Sequence, residues 1–208
     1  MIELELKYAM HSGLEKRLRE KYRETAITQQ DDHYYDTVKG TLYERGNFLR
    51  IRSRERIDFK LYAGDDTHLF CEETNFDLEQ FTDENENLCR LVSSLGLRAN
   101  RFRDFDEFRA NNSLVVIAEI KKCRYEYTLE HHIVSLDYVQ DLGVFVEIEA
   151  RFDDEKIDAA KAADALERNL VDLGIIDLSV DRRVSIGYVE LYLKRFNTAL
   201  YEIGKYKE

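Results

Sequence analysis

The chain has 208 residues, of which 42 are acidic and 31 are Lys or Arg, giving a formal net charge of −11. That length suits one large domain, or a domain with a helical annex, at about 150 residues per domain. With 44% hydrophobic and 12% aromatic residues a sizeable core is available, which excludes disorder over most of the chain. The acidic balance argues against wholesale nucleic-acid binding, which needs surplus positive charge. The longest purely apolar run, Leu114 to Ala118, is too short for a membrane span. Glu3 and Glu5 stand where the apolar part of a signal peptide would begin. Cys71, Cys89 and Cys123 are odd in number and lack metal-ligand spacing, so a disulfide framework or zinc site is not expected. The expectation is a soluble, cytoplasmic globular protein.

Ile2 to Tyr8 alternates apolar and charged residues with a period of two, the signature of a strand. Ser12 followed by Glu15 reads as a capping box for a helix from Gly13 to about Tyr22. Strand-like runs follow at Thr25–Thr37, Asn47–Arg56, Ile57–Ala63 and His68–Leu78, punctuated by Lys39-Gly40 and Gly64-Asp65-Asp66. Asp83–Leu95 carries Leu88, Leu91, Val92 and Leu95 on one helical face and stops at Gly96. Three more strands are expected at Leu114–Tyr127, His132–Tyr138 and Val144–Phe152. Helices at Asp154–Leu173 and Val184–Ile203 complete a helical C-terminal part from about residue 154 to 208. There is no proline and no Gly/Ser linker to divide residues 1–208. The sum is an α+β domain of about eight mainly antiparallel strands with flanking helices.

The first strand puts Glu3, Glu5 and Lys7 on one face. Arginines alternate with apolar residues in Leu49-Arg50-Ile51-Arg52-Ser53-Arg54, and the same pattern recurs in Phe59-Lys60-Leu61 and Phe145-Val146-Glu147-Ile148-Glu149. Any one of these strands is an ordinary sheet strand with a solvated face. As a set they differ, because two strands offer paired carboxylates and two offer cations. A sheet closed with its charged faces inward gathers both signs in one cavity. Unpaired buried charge costs several kcal/mol per ion, so such an interior calls for a highly charged guest. Divalent metal on the carboxylates and a phosphate-rich anion on the cations satisfy both signs together. Mg²⁺ takes carboxylate oxygens and shares its shell with substrate phosphates, and the arginine fork matches phosphate oxygens.

Glu3-Leu4-Glu5-Leu6-Lys7 resembles the ExExK signature of the CYTH family, also called triphosphate tunnel metalloenzymes, which embraces class IV adenylate cyclases, thiamine triphosphatases and inorganic triphosphatases. The resemblance extends, in order, through Gln30–Thr37, Phe48–Arg52, Phe59–Leu61, Lys122–Tyr127, Leu136-Asp137 and Leu142–Glu149. It implies an eight-stranded antiparallel β-barrel, or tunnel, binding a triphosphate and Mg²⁺ or Mn²⁺. Carried over by position, Glu3, Glu5, Asp137, Glu147 and Glu149 form the metal-binding set. Lys7, Arg50, Arg52, Lys60, Lys122 and Arg124 hold phosphates, and Glu5, Lys7, Arg52 and Glu149 carry the catalysis. Glu72 resembles the family's mid-chain glutamate, although the preceding Arg-Pro is absent and Glu73 is a rival. Lys121 competes with Lys122, which shares parity with Arg124. Ser185 and Tyr188 loosely resemble a closing Ser-Tyr element, and Arg182 and Arg183 add positive charge nearby.

Other residues take plainer readings. His131-His132 suits a solvated turn or strand end, since neighbours on a strand point to opposite faces. Tyr34, Tyr35 and Asp36 suit packing and turn geometry, and Asp104, Asp106 and Glu107 near Arg101, Arg103 and Arg109 a solvated helix or loop. The function implied is hydrolysis of a terminal phosphoanhydride, with inorganic triphosphate as first substrate. Class IV adenylate cyclase, thiamine triphosphatase and a non-catalytic polyphosphate- or nucleotide-binding module are the alternatives. The cyclase lacks a recognisable purine pocket, and the absence of Trp weighs modestly against thiamine triphosphate. Partners are therefore triphosphate-containing small molecules such as inorganic triphosphate, ATP or thiamine triphosphate, with no nucleic acid and no membrane, and surplus helical surface leaves room for a homodimer.

Overall fold

The computed structural model describes residues 2–10, 12–61, 70–129, 132–152 and 159–207. In chain order it contains β1 (Ile2–Ala9), α1 (Ser12–Lys21), β2 (Glu24–Thr37), α2 (Thr41–Glu44), β3 (Asn47–Arg52), β4 (Arg56–Leu61) and β5 (Phe70–Asp77). There follow α3 (Glu86–Ser94), α4 (Phe105–Asn111), β6 (Leu114–Leu129), β7 (His132–Val139), β8 (Gly143–Phe152), α5 (Ala159–Asp172), β9 (Arg182–Val184), α6 (Tyr188–Phe196) and α7 (Thr198–Ile203). The expected α+β class with an antiparallel sheet and flanking helices is what the structure has.

The eight-stranded barrel needs correction. The sheet has nine strands in the order β5-β4-β3-β2-β6-β7-β8-β1-β9, and it is not fully closed. One edge of β1 is paired along its length with β8, from Ile2↔Phe152 to Ala9↔Phe145. The other edge is divided between two partners. β5 meets it at Glu3↔Cys71 and Leu4↔Phe70, and β9 meets it at Lys7, Tyr8 and Ala9. Among the described residues neither partner has room for a full ladder, so the join between the sheet's ends is a two-residue contact.

Apolar and charged alternation sorts the two faces of the sheet. Leu4, Leu6 and Tyr8 of β1 pack against Leu14 and Leu18 of α1 and Leu166 and Leu170 of α5. Leu49, Ile51, Ile57 and Phe59 of β3 and β4 pack under Leu88, Val92, Phe105 and Phe108 of α3 and α4. Each such buried side chain contributes roughly 1.5–3 kcal/mol of transfer free energy. The helices thus claim the faces that would otherwise be outer, and the charged faces turn inward.

Three boundaries differ from the sequence reading. The run Asn47–Arg56 breaks after Arg52 at a turn in which Glu55 N–H donates to the Arg52 carbonyl at 3.0 Å. Its central residues, Ser53 and Arg54, have φ of 52° and 60°, a conformation that turn rules reserve for Gly and Asn. The helical C-terminal part contains a strand, β9. The expected single helix Val184–Ile203 is two, because Asn197 ends α6 and caps α7 by accepting from Leu200 N–H at 3.2 Å. Residues 62–69 and 153–158, which hold parts of the expected strands and helix, lie outside the described residues, as does His131.

Candidate active site

A cavity of about 450 Å³ is enclosed by the inward faces of the strands and the first turn of α6. Among the described residues its wall carries seven Lys or Arg side chains and six Glu side chains. Glu5 and Lys7 of β1, Arg50 and Arg52 of β3, Lys60 of β4, Lys122 and Arg124 of β6, and Glu147 and Glu149 of β8 all line it. The side chain of Glu3 lies outside the described residues. Its backbone is on the same edge of β1, two residues before Glu5.

The cations are held in two alternating ion networks. In the first, the chain Arg52–Asp32–Arg50–Asp58–Arg56 has successive N–O separations of 2.8, 3.3, 2.5 and 2.6 Å. Asp32 and Asp58 are buried beneath the three guanidinium groups. Burial alone would raise the Asp32 carboxyl, but Arg52 and Arg50 override it and hold the pKa down at about 2. Lys60 pairs with Glu73 at 3.0 Å. In the second network, Asp137 accepts from Lys122 at 2.8 Å and from Arg124 at 2.6 Å. Arg124 also pairs with Glu147, which lies 3.2 Å from Lys7, and Lys7 is 3.4 Å from Glu5. Burial opposes charge on Lys7, yet Glu147 and Glu5 keep its pKa above the ordinary value. Lys122 goes the other way: burial and the neighbouring Arg124 lower it to about 8, against the pull of Glu147 and Asp137.

Tyr188 ties this second network together. Its hydroxyl donates to Asp137 at 3.0 Å, and Lys7 and Lys122 sit 4.2 and 4.8 Å from its ring centroid. Asp36 has a different task. Its carboxylate accepts from the backbone N–H groups of Thr37, Leu42 and Tyr43, so it anchors α2.

Several expected site residues sit elsewhere. Glu72 is exposed and does not line the cavity; Glu73 does, because Lys60↔Glu73 is the inward register pair between β4 and β5. Asp137, expected as a metal ligand, is wholly buried behind Lys122 and Arg124 and is their counter-ion. Lys122 is buried on the inner face and Lys121 is exposed. The two register shifts between β2 and β6, at Glu24/Ala26 and Tyr34/Tyr35, fall on either side of the stretch that pairs Thr28 to Asp31 with Arg124 to Lys121, so Lys122 and Arg124 keep the same parity. Arg182, Arg183 and Ser185 are exposed and do not line the cavity, whereas Tyr188 does.

The pattern reading missed Asp32, Asp58, Arg56 and Glu190. Asp32 and Asp58 share parity with Tyr34 and Lys60, so period-two counting reaches them. Glu190 comes from a helix, and no strand pattern signals it.

The donor chemistry fits a hard divalent cation. Glu5 and Glu147 both stand beside Lys7, at 3.4 and 3.2 Å, and Glu149 stands directly across from Glu5 in the ladder. Burial would raise the Glu147 carboxyl, but Lys7, Lys122 and Arg124 hold it well below its ordinary value, so it is an anionic donor. Among the described residues no three His, Cys, Asp or Glu form a ready-made ligand cluster. A divalent cation bound here would draw on the oxygens of Glu5, Glu147 and Glu149, with water completing its shell, as Mg²⁺ commonly does.

The fold has close counterparts. The chain is similar to the PH1819 protein of Pyrococcus horikoshii OT3, at TM-score 0.65 and 22% identity over 93% of this chain and 99% of that one. A putative adenylate cyclase from Vibrio parahaemolyticus aligns at TM-score 0.57 and 22% identity, over 92% and 97% of the two chains. HpAC1 of Hippeastrum, a putative adenylyl cyclase described as having a dominant triphosphatase activity, aligns at 0.58 and 18%, over 97% and 94%. No curated protein matches the sequence. The CYTH domain family matches residues 1–185, which takes in every strand lining the cavity; the chain belongs to the CYTH domain family.

Proposed function

We propose that the protein is a metal-dependent hydrolase of triphosphate phosphoanhydrides, with inorganic triphosphate as substrate and Mg²⁺ or Mn²⁺ as cofactor. CYTH family enzymes are metal-dependent triphosphatases or cyclases. The observation that carries the reading is the cavity wall itself, where Lys and Arg groups face Glu5, Glu147 and Glu149 across a space of about 450 Å³.

Lys7, Arg50, Arg52, Lys60, Lys122 and Arg124 bind the phosphate oxygens. Arg50 and Arg52 arrive pre-positioned, since Asp32 and Asp58 already fix their guanidinium planes, so little side-chain entropy remains to be lost on binding. Glu5, Glu147 and Glu149 would hold the divalent ion, which would supply charge withdrawal from phosphate oxygens and a lowered pKa for nearby water. The water oxygen bonds to the terminal phosphorus, the bridging P–O bond breaks with its electron pair leaving on pyrophosphate, and the water proton passes to solvent. Lys7 and Arg52 stabilise charge on the equatorial and leaving oxygens, so catalysis is positioning and electrostatics.

The cyclase is the second reading, favoured by the description of the Vibrio neighbour. One assay separates them: the protein is incubated with triphosphate, ATP and thiamine triphosphate under Mg²⁺ or Mn²⁺. The proposal expects orthophosphate and pyrophosphate from triphosphate at the highest rate. Cyclic AMP with pyrophosphate from ATP supports the cyclase, fastest turnover of thiamine triphosphate reassigns the substrate, and binding without turnover leaves a non-catalytic module.

A further inference from the structure

Each cation proposed to bind phosphate leans on a carboxylate. Asp32 and Asp58 serve Arg50 and Arg52, Glu73 serves Lys60, and Asp137 serves Lys122 and Arg124. Lys7 is the exception. Its carboxylate partners, Glu147 at 3.2 Å and Glu5 at 3.4 Å, are the ones assigned to the divalent ion. The Lys7 side chain is buried, so it needs another seat once a metal draws those oxygens away. Two neutral groups from the segment that leads into α6 provide one. Lys7 Nζ donates to the Ile186 carbonyl at 3.2 Å, and it stands 4.2 Å from the centroid of the Tyr188 ring. The same ring lies 4.8 Å from Lys122 Nζ. The ring is itself fixed twice: its hydroxyl donates to Asp137 at 3.0 Å, and Phe145 meets it in a T-shaped contact with centroids 5.3 Å apart. Burial and the nearby Glu147 and Asp137 carboxylates push the Tyr188 hydroxyl well above its ordinary pKa, so it stays a donor. A carbonyl and a ring face attract an ammonium without cancelling its charge, which leaves that charge for an anion.

We propose that Tyr188 is a positioning residue, whose ring, together with the Ile186 carbonyl, holds the Lys7 ammonium in place when Glu5 and Glu147 turn to the metal. The inference rests on the metal and triphosphate reading of the site. Of the three N–H groups of Lys7, one stays on Ile186, and those released by Glu5 and Glu147 become available to phosphate oxygens. Lys122 shares the ring, so both ammonium groups keep one platform before and after binding. The sheet therefore supplies the two lysines, and the C-terminal segment supplies the surface on which they stand.

The test is calorimetric titration with the non-hydrolysable imidotriphosphate and Mg²⁺ of the wild type, Tyr188→Phe, Tyr188→Leu and Tyr201→Leu. Phenylalanine keeps the platform, so its affinity should stay within about three-fold of the wild type, whereas leucine removes the ring and should weaken binding at least about ten-fold. Tyr201 is buried in the same apolar cluster as Tyr188 but does not line the cavity. Tyr201→Leu should therefore lower the melting temperature and leave the affinity unchanged. A phenylalanine variant as weak as the leucine one, a leucine variant as tight as the wild type, or equal weakening by Tyr201→Leu overturns the inference. Proton NMR of the lysine ε-CH₂ groups, assigned through Lys7→Arg and Lys122→Arg, needs no change at Tyr188. The expected result is a Lys7 resonance shifted upfield by the ring in the free protein and still shifted with Mg²⁺ and imidotriphosphate bound. Loss of that shift on binding overturns the inference and leaves the site reading standing. Failure of the wild type to bind imidotriphosphate with Mg²⁺ overturns both.

Discussion

Asp32 and Asp58 carry three guanidinium groups between them, and their burial makes each indispensable to the others. Removing one partner of such a network leaves buried charge uncompensated, so Asp58→Asn should cost about 3 kcal/mol, read as a shift of the denaturant midpoint at unchanged slope. Asp32 makes a prediction in pH. Its folded pKa of about 2 lies below the ordinary carboxylate value, so its contribution is present above about pH 4 and is lost as pH falls through 2. That contribution is on the order of 2 kcal/mol, and Asp32→Asn should flatten acid denaturation over this window. A variant as acid-sensitive as the wild type contradicts the assignment. The inward-facing carboxylates of β1 and β8 were legible from strand parity, whereas the place of Glu73 rather than Glu72 on β5 needed the register of the pairing. Depth was not legible either: Asp137 is buried behind Lys122 and Arg124, while Glu147 lines the cavity.

At the scale of elements, the β3–β4 turn sets Arg52 beside Arg56 at the exposed end of the cavity. It does so with two non-glycine residues at positive φ, each costing of order 1 kcal/mol. Replacing Ser53-Arg54 by Asn-Gly should raise stability by about 1 kcal/mol and leave catalytic constants unchanged, since neither side chain lines the cavity. Loss of stability in that double variant would show that the turn is held by contacts of Ser53 or Arg54. The same turn explains why the sequence reading ran one strand into the next: it contains no Gly, Asn or Pro to announce it. Most strands were legible because their period of two is uninterrupted. The C-terminal region was less so, since β9 is only three residues long and its partner edge on β1 is defined by tertiary pairing alone. Asp36 tests the anchoring of α2. Asp36→Ala removes an acceptor shared by three N–H groups and should cost on the order of 2 kcal/mol in unfolding free energy.

The whole molecule inverts the usual amphipathic sheet. Helices cover the apolar faces, and the charged faces enclose a space in which nearly every cation leans on a carboxylate. Such a wall is satisfied without a guest by its own ion pairs, and it is re-sorted by a guest that brings both signs. A polyanion alone leaves Glu5, Glu147 and Glu149 crowded together, and a cation alone leaves Lys7 and Arg124 short of their partners. Glu5→Gln or Glu149→Gln should therefore lower metal-dependent turnover by at least about 100-fold while thermal unfolding stays cooperative; full activity in either sinks that ligand assignment. The most direct measurement of the central claim is the melting temperature of the wild type with triphosphate, with Mg²⁺, and with both. Ligand at a hundred times its dissociation constant stabilises by about 2.7 kcal/mol. The account predicts a large shift with both together that exceeds the sum of the separate shifts. Equal stabilisation by triphosphate with and without Mg²⁺, or none under any condition, contradicts it.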